Sequence, residues 1–187
     1  ETRFGEVSYK RWGYGAKGVV SLFPADGHLN LPPENKRVWV SVKRGTELVI
    51  EEMFKEGQDR DPQHEKQWVA LVDGNPCQLK ELQKKAQSFN VQLTIVLDII
   101  HVLEYLWKAA CGFYGEGSPQ SEGFVTQRLL RLLRGQSSQV AKGIRKMATE
   151  RRLRGQARKQ VDKCADYLLK YASIIHYDQY LAPVYKL

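Results

Sequence analysis

Two aspartates stand where apolar runs end: Asp73 closes Trp68–Val72, and Asp98 closes Leu93–Leu97, with His101 three residues further on. At that spacing on a helical turn, a carboxylate and an imidazole share one side. There they can hydrogen-bond each other or hold a metal or phosphate between them. The first apolar run is continuous and bounded by Gly74, Asn75 and Pro76, which predicts a buried central strand over 68–72 rather than a helix. The second is rich enough in β-branched residues to be a strand, and a helix is expected to begin after Asp98. Both aspartates then fall at the carboxyl ends of strands, where ligands gather in open α/β sheets. Asp98 also has a plainer use: a residue directly before a helix can cap it by accepting backbone N–H bonds. The two uses are compatible.

The elements that position these residues can be laid along the chain. Residues 3–22 carry four glycines among Val7, Tyr9 and Trp12, which predicts a twisted hairpin, and 23–35, with three prolines, reads as a connector. A short strand is expected over 38–42, with Val38, Val40 and Val42 on one face. A helix follows over 46–55, with Thr46 as its cap and Val49, Ile50, Met53 and Phe54 as its buried stripe. A polar loop spans 57–66, and a helix over 78–89 buries Leu79, Leu82 and Ala86. After the strand at 93–97 a helix runs to about 113 and is ended by GEGSP (115–119). Three more helices are expected at about 120–134, 137–150 and 156–172, separated at Gly135 and Gly155.

A chain of 187 residues is long enough for one domain with a good core, or a domain plus an appendage. No run approaches transmembrane length, and the opening ETRFGEVSYK is charged, so no membrane association or signal peptide is expected. Cys77, Cys111 and Cys164 are odd in number and fit no zinc spacing, which suits reduced thiols in a cytosolic chain. His28, His64 and His176 read as surface residues, and Trp39, Trp68 and Trp107 as core. Trp12, flanked by Arg3, Lys10, Arg11 and Lys17, is an aromatic that can touch nucleic acid, although hairpin packing is the commoner use of such a residue.

The net charge is +8, yet residues 122–170 contain thirteen Lys and Arg against four Asp and Glu. That segment carries an excess of nine. Phe124, Val125, Leu129, Leu132 and Leu133 make one helical stripe, while Arg128, Arg131 and Arg134 project from another side. With Arg145, Arg151, Arg152, Arg154, Arg158 and Lys159 they form a basic face suited to phosphate backbones. A single arginine of this kind usually does no more than solvate a helix.

WVALVDG (68–74), the D-x-x-H of Asp98 and His101, and EYLWKAA (104–110) resemble bacterial insertion-sequence transposases of the ISKra type, relatives of the Mutator-like DDE transposases. RFGEVSYKRWGYG (3–15), SLFPADGHLNLPPE (21–34), ENKRVWVSV (34–42), VIEEMF (49–54) and KCADYLLKYA (163–172) extend the resemblance over nearly the whole chain. It implies an RNase-H-like sheet interrupted by a helical insertion. Asp73 would be the second catalytic aspartate and a magnesium ligand, Asp98 and His101 an accessory motif, and duplex DNA the substrate. The chemistry would be phosphoryl transfer by two cations about 3.5–4 Å apart.

The chain also departs from that pattern. In the family a long segment bearing the first catalytic aspartate separates the LNLP and RVW regions, which here abut at Pro33, Glu34 and Asn35. The GVIEGA-like motif that carries the catalytic glutamate has no counterpart after YDQYLA (177–182). On that resemblance two of three carboxylates would be missing, and a lone carboxylate holds magnesium weakly because that ion gives up its waters reluctantly. The expectation is a transposase remnant, internally deleted and C-terminally truncated, that binds DNA without cutting it. An unrelated basic α/β nucleic-acid-binding module without catalysis is the alternative. Residues 1–34 would form an N-terminal hairpin and connector, 35–115 a partial RNase-H-like core, and 116–187 a basic all-α insertion. Of the family's sheet order 3-2-1-4-5, only strands three, four and five would remain, at 38–42, 68–72 and 93–97. Strand four would need a substitute neighbour, for which the N-terminal hairpin is available. The resemblance also implies a bacterial cytosolic location beside the nucleoid, and it leaves room for a homo-oligomer.

Overall fold

Five apolar residues bounded by a glycine and a proline do form a strand, and a second five-residue strand, with Thr94 as its one polar residue, lies 25 residues later in parallel with the first. The computed structural model describes residues 22–24 and 43–181. The order of elements is β1 (Leu22–Pro24), α1 (Thr46–Arg60), β2 (Trp68–Val72), α2 (Pro76–Ser88), β3 (Leu93–Leu97), α3 (Ile99–Tyr114), α4 (Pro119–Leu132), α5 (Ser137–Glu150), α6 (Gly155–Lys170), a 3-10 turn (Ala172–Ile174) and α7 (Tyr177–Leu181). The chain is therefore mixed α/β and mostly helical.

The sheet has the order β1-β2-β3. β2 and β3 run parallel from Trp68↔Leu93 to Val72↔Leu97, and β1 lies antiparallel on the free edge of β2, with Phe23 opposite Val69. Residues 23–35 are expected as connector, but Leu22–Pro24 is a strand, because an unpaired edge of β2 would leave backbone donors and acceptors without partners. Pro24 is tolerated on an edge strand, where a missing N–H breaks no ladder. The expected strand at 38–42 and nearly all of the expected hairpin at 3–22, Trp12 included, lie outside the described residues.

Helix α1 packs on β2 through Phe54, whose ring centroid lies 5.7 Å from that of Trp68 and 5.4 Å from that of Phe89. Val49, Ile50, Met53 and Phe54 are its buried residues. Two details of this helix differ from expectation. Its N-cap is Gly45 and no side chain caps it, so Thr46 is simply its first residue. It also runs five residues past Lys55, to Arg60, which shortens the expected polar loop. The extension is held by the Arg60 to Glu56 ion pair, 2.7 Å, and by Asp61 beyond the helix end. Asp61 is buried and accepts from the Trp68 indole N–H at 2.9 Å and from the backbone N–H groups of Glu65 and Lys66.

Helix α2 starts at Pro76 rather than 78. Asn75 caps it by accepting from Cys77 N, and proline at the first position needs no N–H partner. Its buried residues are Gln78, Leu82 and Ala86, and Leu79 is only partly covered.

Helices α3 to α6 form the second part of the core. α3 packs against both α4 and α6, and α5 against α6. Val102, Leu106, Ala109 and Ala110 of α3 are fully buried. The approach of α3 to α6 is close at Gly112, where a Cβ would sit 3.0 Å from the Ala157 carbonyl oxygen. Each fully buried leucine contributes about 2 kcal/mol, whereas a surface ion pair contributes about 0–1 kcal/mol, so packing rather than the many charges holds these helices together. Trp107, expected in the core, is instead 39 % exposed on α3, because Leu106 and Ala110 take the inward face. No helix among the described residues is long and apolar enough to cross a membrane.

Asp61 gives the fold a measurable pH dependence. The hydrogen bond from Trp68 holds its carboxyl below the usual carboxylate range, helped by the two backbone N–H groups. A depressed folded-state pKa gives stability that is full above the unfolded value and is lost as pH falls through the folded one. Asp61→Asn is therefore expected to melt below the parent chain at pH 7, and the gap should close as pH drops below about 4. Thermal melts across pH 2.5 to 7 check this, and a gap constant with pH would contradict it.

Candidate functional site

Asp73 and Asp98 occupy neighbouring positions at the carboxyl ends of β2 and β3, one step beyond the last register pair, Val72↔Leu97. The Asp98 N–H donates to the Val72 carbonyl at 2.7 Å, which fixes the two residues side by side. The parallel strands thus bring the acids together. Their side chains are already engaged. Asp73 is exposed and its Oδ1 accepts from the Asn75 N–H at 2.8 Å, closing the turn into α2. It is not a buried, uncompensated carboxylate. Asp98 is the N-cap of α3, its Oδ1 accepting from Ile100 N at 2.9 Å.

The expected meeting of Asp98 with His101 does not occur. The Asp98 carboxylate turns back to the start of the helix. The His101 Nδ1 lies 3.6 Å from the Glu104 Oε2, one turn further along. A two-ion centre needs several carboxylates converging with free oxygens. Among the described residues no three His, Cys, Asp or Glu side chains converge, and the donor set at Asp73 and Asp98 does not fit such a centre.

Four tyrosines that sequence reasoning passed over crowd this end of the sheet. The Tyr167 hydroxyl donates to the Asp73 carbonyl at 3.1 Å, that of Tyr171 to the Gly74 carbonyl, and that of Tyr177 to the Leu97 carbonyl at 2.8 Å. Tyr105 stacks on Tyr167 with ring centroids 3.9 Å apart. Burial pushes the phenols of Tyr167 and Tyr177 well above their ordinary value, so both remain neutral donors. Gly74 has φ +89°, and a Cβ there would lie 3.0 Å from the Tyr171 ring, so glycine is required by both backbone and space. The available signal was the helical spacing of Tyr167 and Tyr171, but nothing in it names their acceptors.

Two concavities open at the other end of the strands. One is lined by Gln83, Gln87, Asn90 and Leu93, the other by His64, Trp68, Asn90 and Thr94, and neither touches Asp73, Asp98 or His101. All three cysteines are free thiols; burial pushes the Cys164 thiol up to about 12, which makes it inert.

The eight candidate arginines separate into two groups. Arg145 pairs with Asp166 and lies 3.8 Å from Asp162, while Arg158 reaches Asp162 at 2.8 Å and the Thr149 hydroxyl at 3.1 Å. These two neutralise acids along the α5–α6 seam. Arg128, Arg131, Arg134, Arg151, Arg152 and Arg154 have no carboxylate within 4.0 Å among the described residues. Arg128 does not project from the polar side as its spacing suggests: it is half-buried, with its guanidinium 4.0 Å over the Phe124 ring. Arg131 donates to Gln136 at 2.9 Å. Arg152, with φ +53°, forms the turn between α5 and α6, and Arg154 is the N-cap position of α6 without a side-chain cap.

Comparison of the chain with family profiles, curated proteins and solved structures gives no match.

If Asp98 serves as a cap, its charge matters less than its oxygen. Asp98→Asn is expected to melt close to the parent chain and Asp98→Ala to lose about 1 kcal/mol. Denaturant unfolding checks this, and an equal loss in both variants would show that the carboxylate has another partner.

Proposed function

We propose that these residues constitute a DNA-binding protein of DDE-transposase descent whose strand-end site does not cut DNA. The observation that carries the reading is the group of arginines on α4 and around the α5–α6 turn that lack acidic partners among the described residues, in a segment with an excess of nine positive charges. Duplex DNA is the partner, and phosphate contacts of this kind give affinity without sequence preference. A bacterial cytosolic location and self-association go with that descent. Asp73 is the counterpart of one catalytic acid, with Asp98 and His101 as the accessory motif. Magnesium would meet Asp73 with one oxygen already engaged and Asp98 committed to a helix cap, so its binding is weak.

A second reading is favoured by the tyrosines that cover the carboxyl ends of β2 and β3. There the chain is an unrelated basic α/β nucleic-acid-binding module that never had a catalytic site. Both readings bind DNA without cutting it, and they part only over descent.

Fluorescence anisotropy with a labelled duplex tests the binding. Affinity should be indifferent to sequence and fall steeply with salt, and replacing Arg151, Arg152 and Arg154 together by Gln should flatten the slope of log affinity against log salt by up to about 3. An unchanged slope would contradict the reading. So would magnesium-dependent cleavage that disappears in Asp73→Asn, provided circular dichroism shows that the variant is folded.

A further inference from the structure

Two guanidinium groups converge on one aromatic cluster at the end of α3. Phe113, Tyr114 and Phe124 pack on each other with ring centroids 5.3–6.1 Å apart. Arg151, just beyond α5, sits with its guanidinium carbon 4.8 Å over Tyr114 and 5.7 Å over Phe113. Arg128, from α4, covers Phe124 and touches the Met147 sulfur at 3.8 Å and the Gln127 amide oxygen at 3.1 Å. None of these partners carries a negative charge. Burial lowers the proton affinity of Arg128, Tyr114 opposes that, and the like charges of Arg131 and Arg151 lower it further.

Arg151 is exposed, but Arg128 is partly desolvated beside like charges, and a charge in that setting is costly unless an anion joins it. Contact with the rings restricts where both guanidinium groups can sit, so less ordering remains for a ligand to impose. The Tyr114 hydroxyl accepts from Arg151 Nη2 at 3.1 Å, which leaves its own proton for a further acceptor. We propose that Arg128, Arg151 and the Tyr114 hydroxyl form one built site for a phosphate group, filled by a phosphodiester of bound nucleic acid. The identification of the ligand as nucleic acid rests on the DNA-binding reading above, whereas the phosphate chemistry rests on the cluster itself. Planar guanidinium forks match phosphate oxygens two at a time, and a phenol adds a third direction of donation. Arg145 and Arg158 are excluded from this role because Asp162 and Asp166 already occupy them.

The test uses the full chain and two probes: a labelled duplex in a salt series, and pyrophosphate in thermal melts. In the duplex arm Arg151→Gln should lower the salt slope by about 0.9. Tyr114→Phe, which keeps the ring packing, should weaken binding about two- to tenfold at unchanged slope. The double variant Arg145→Gln with Arg158→Gln should leave the slope as it is. Arg128→Met keeps the aliphatic packing on Phe124 and should behave like Arg151→Gln. If the parent chain binds duplex but Arg151→Gln and Tyr114→Phe bind equally well, the site is wrong and the DNA reading stands. If the parent chain ignores duplex but pyrophosphate raises its melting temperature, and Arg151→Gln abolishes that rise, the site stands as one for free polyphosphate and the DNA reading falls. If neither probe binds, both are overturned.

Discussion

The carboxyl ends of β2 and β3 present main-chain carbonyl groups that need donors once they are covered. Three phenols provide them. A buried carbonyl without a partner costs about 1–3 kcal/mol, so the Tyr167, Tyr171 and Tyr177 hydroxyls on Asp73, Gly74 and Leu97 decide where the C-terminal helices must sit. This contact, with the close crossing of α3 and α6 at Gly112, ties a two-stranded parallel core to a helical bundle that shares α3 with it. The same contact has a chemical consequence. The edge where an α/β sheet ordinarily receives a ligand is filled with the protein's own side chains, leaving Asp73 exposed at its rim.

Electrostatics divide the helical region in a complementary way. Along the α5–α6 seam Arg145 and Arg158 are matched by Asp162 and Asp166. At the C-terminal end of α5, near the terminus of α3, Arg128 and Arg151 rest on aromatic rings with no carboxylate within 4.0 Å among the described residues. Phosphate binding there requires no rearrangement of the sheet and no part for the aspartates.

Much of this architecture is legible in the residues themselves. Trp68–Val72 and Leu93–Leu97 are strands because continuous apolar runs between turn residues leave no other use for them, and Asp98 caps α3 because its position does. The α5 bounds follow from glycine and polar punctuation. Other features depend on distant partners. α1 continues through Gly57 because the Trp68 ring packs where a Cβ would stand, a contact that no local pattern contains. Leu22–Pro24 becomes a strand only because the β2 edge is open. The candidate site was half visible: spacing places Asp73 and Asp98 at strand ends, but Asp98 and His101 part because the cap outcompetes the imidazole. The pairing of arginines with acids, or with rings, is set by helix packing and cannot be read from their count.

On the proposed reading, nucleic acid meets the aromatic and basic end of the helical region and not the strand ends. Hydrogen–deuterium exchange of the full chain with and without a saturating duplex tests it most directly. Protection is expected at 113–134 and 147–155, with 73–78 and 98–104 unchanged. Protection centred on 73–78 and 98–104, with the α4 and α5 segments unaffected, would contradict it.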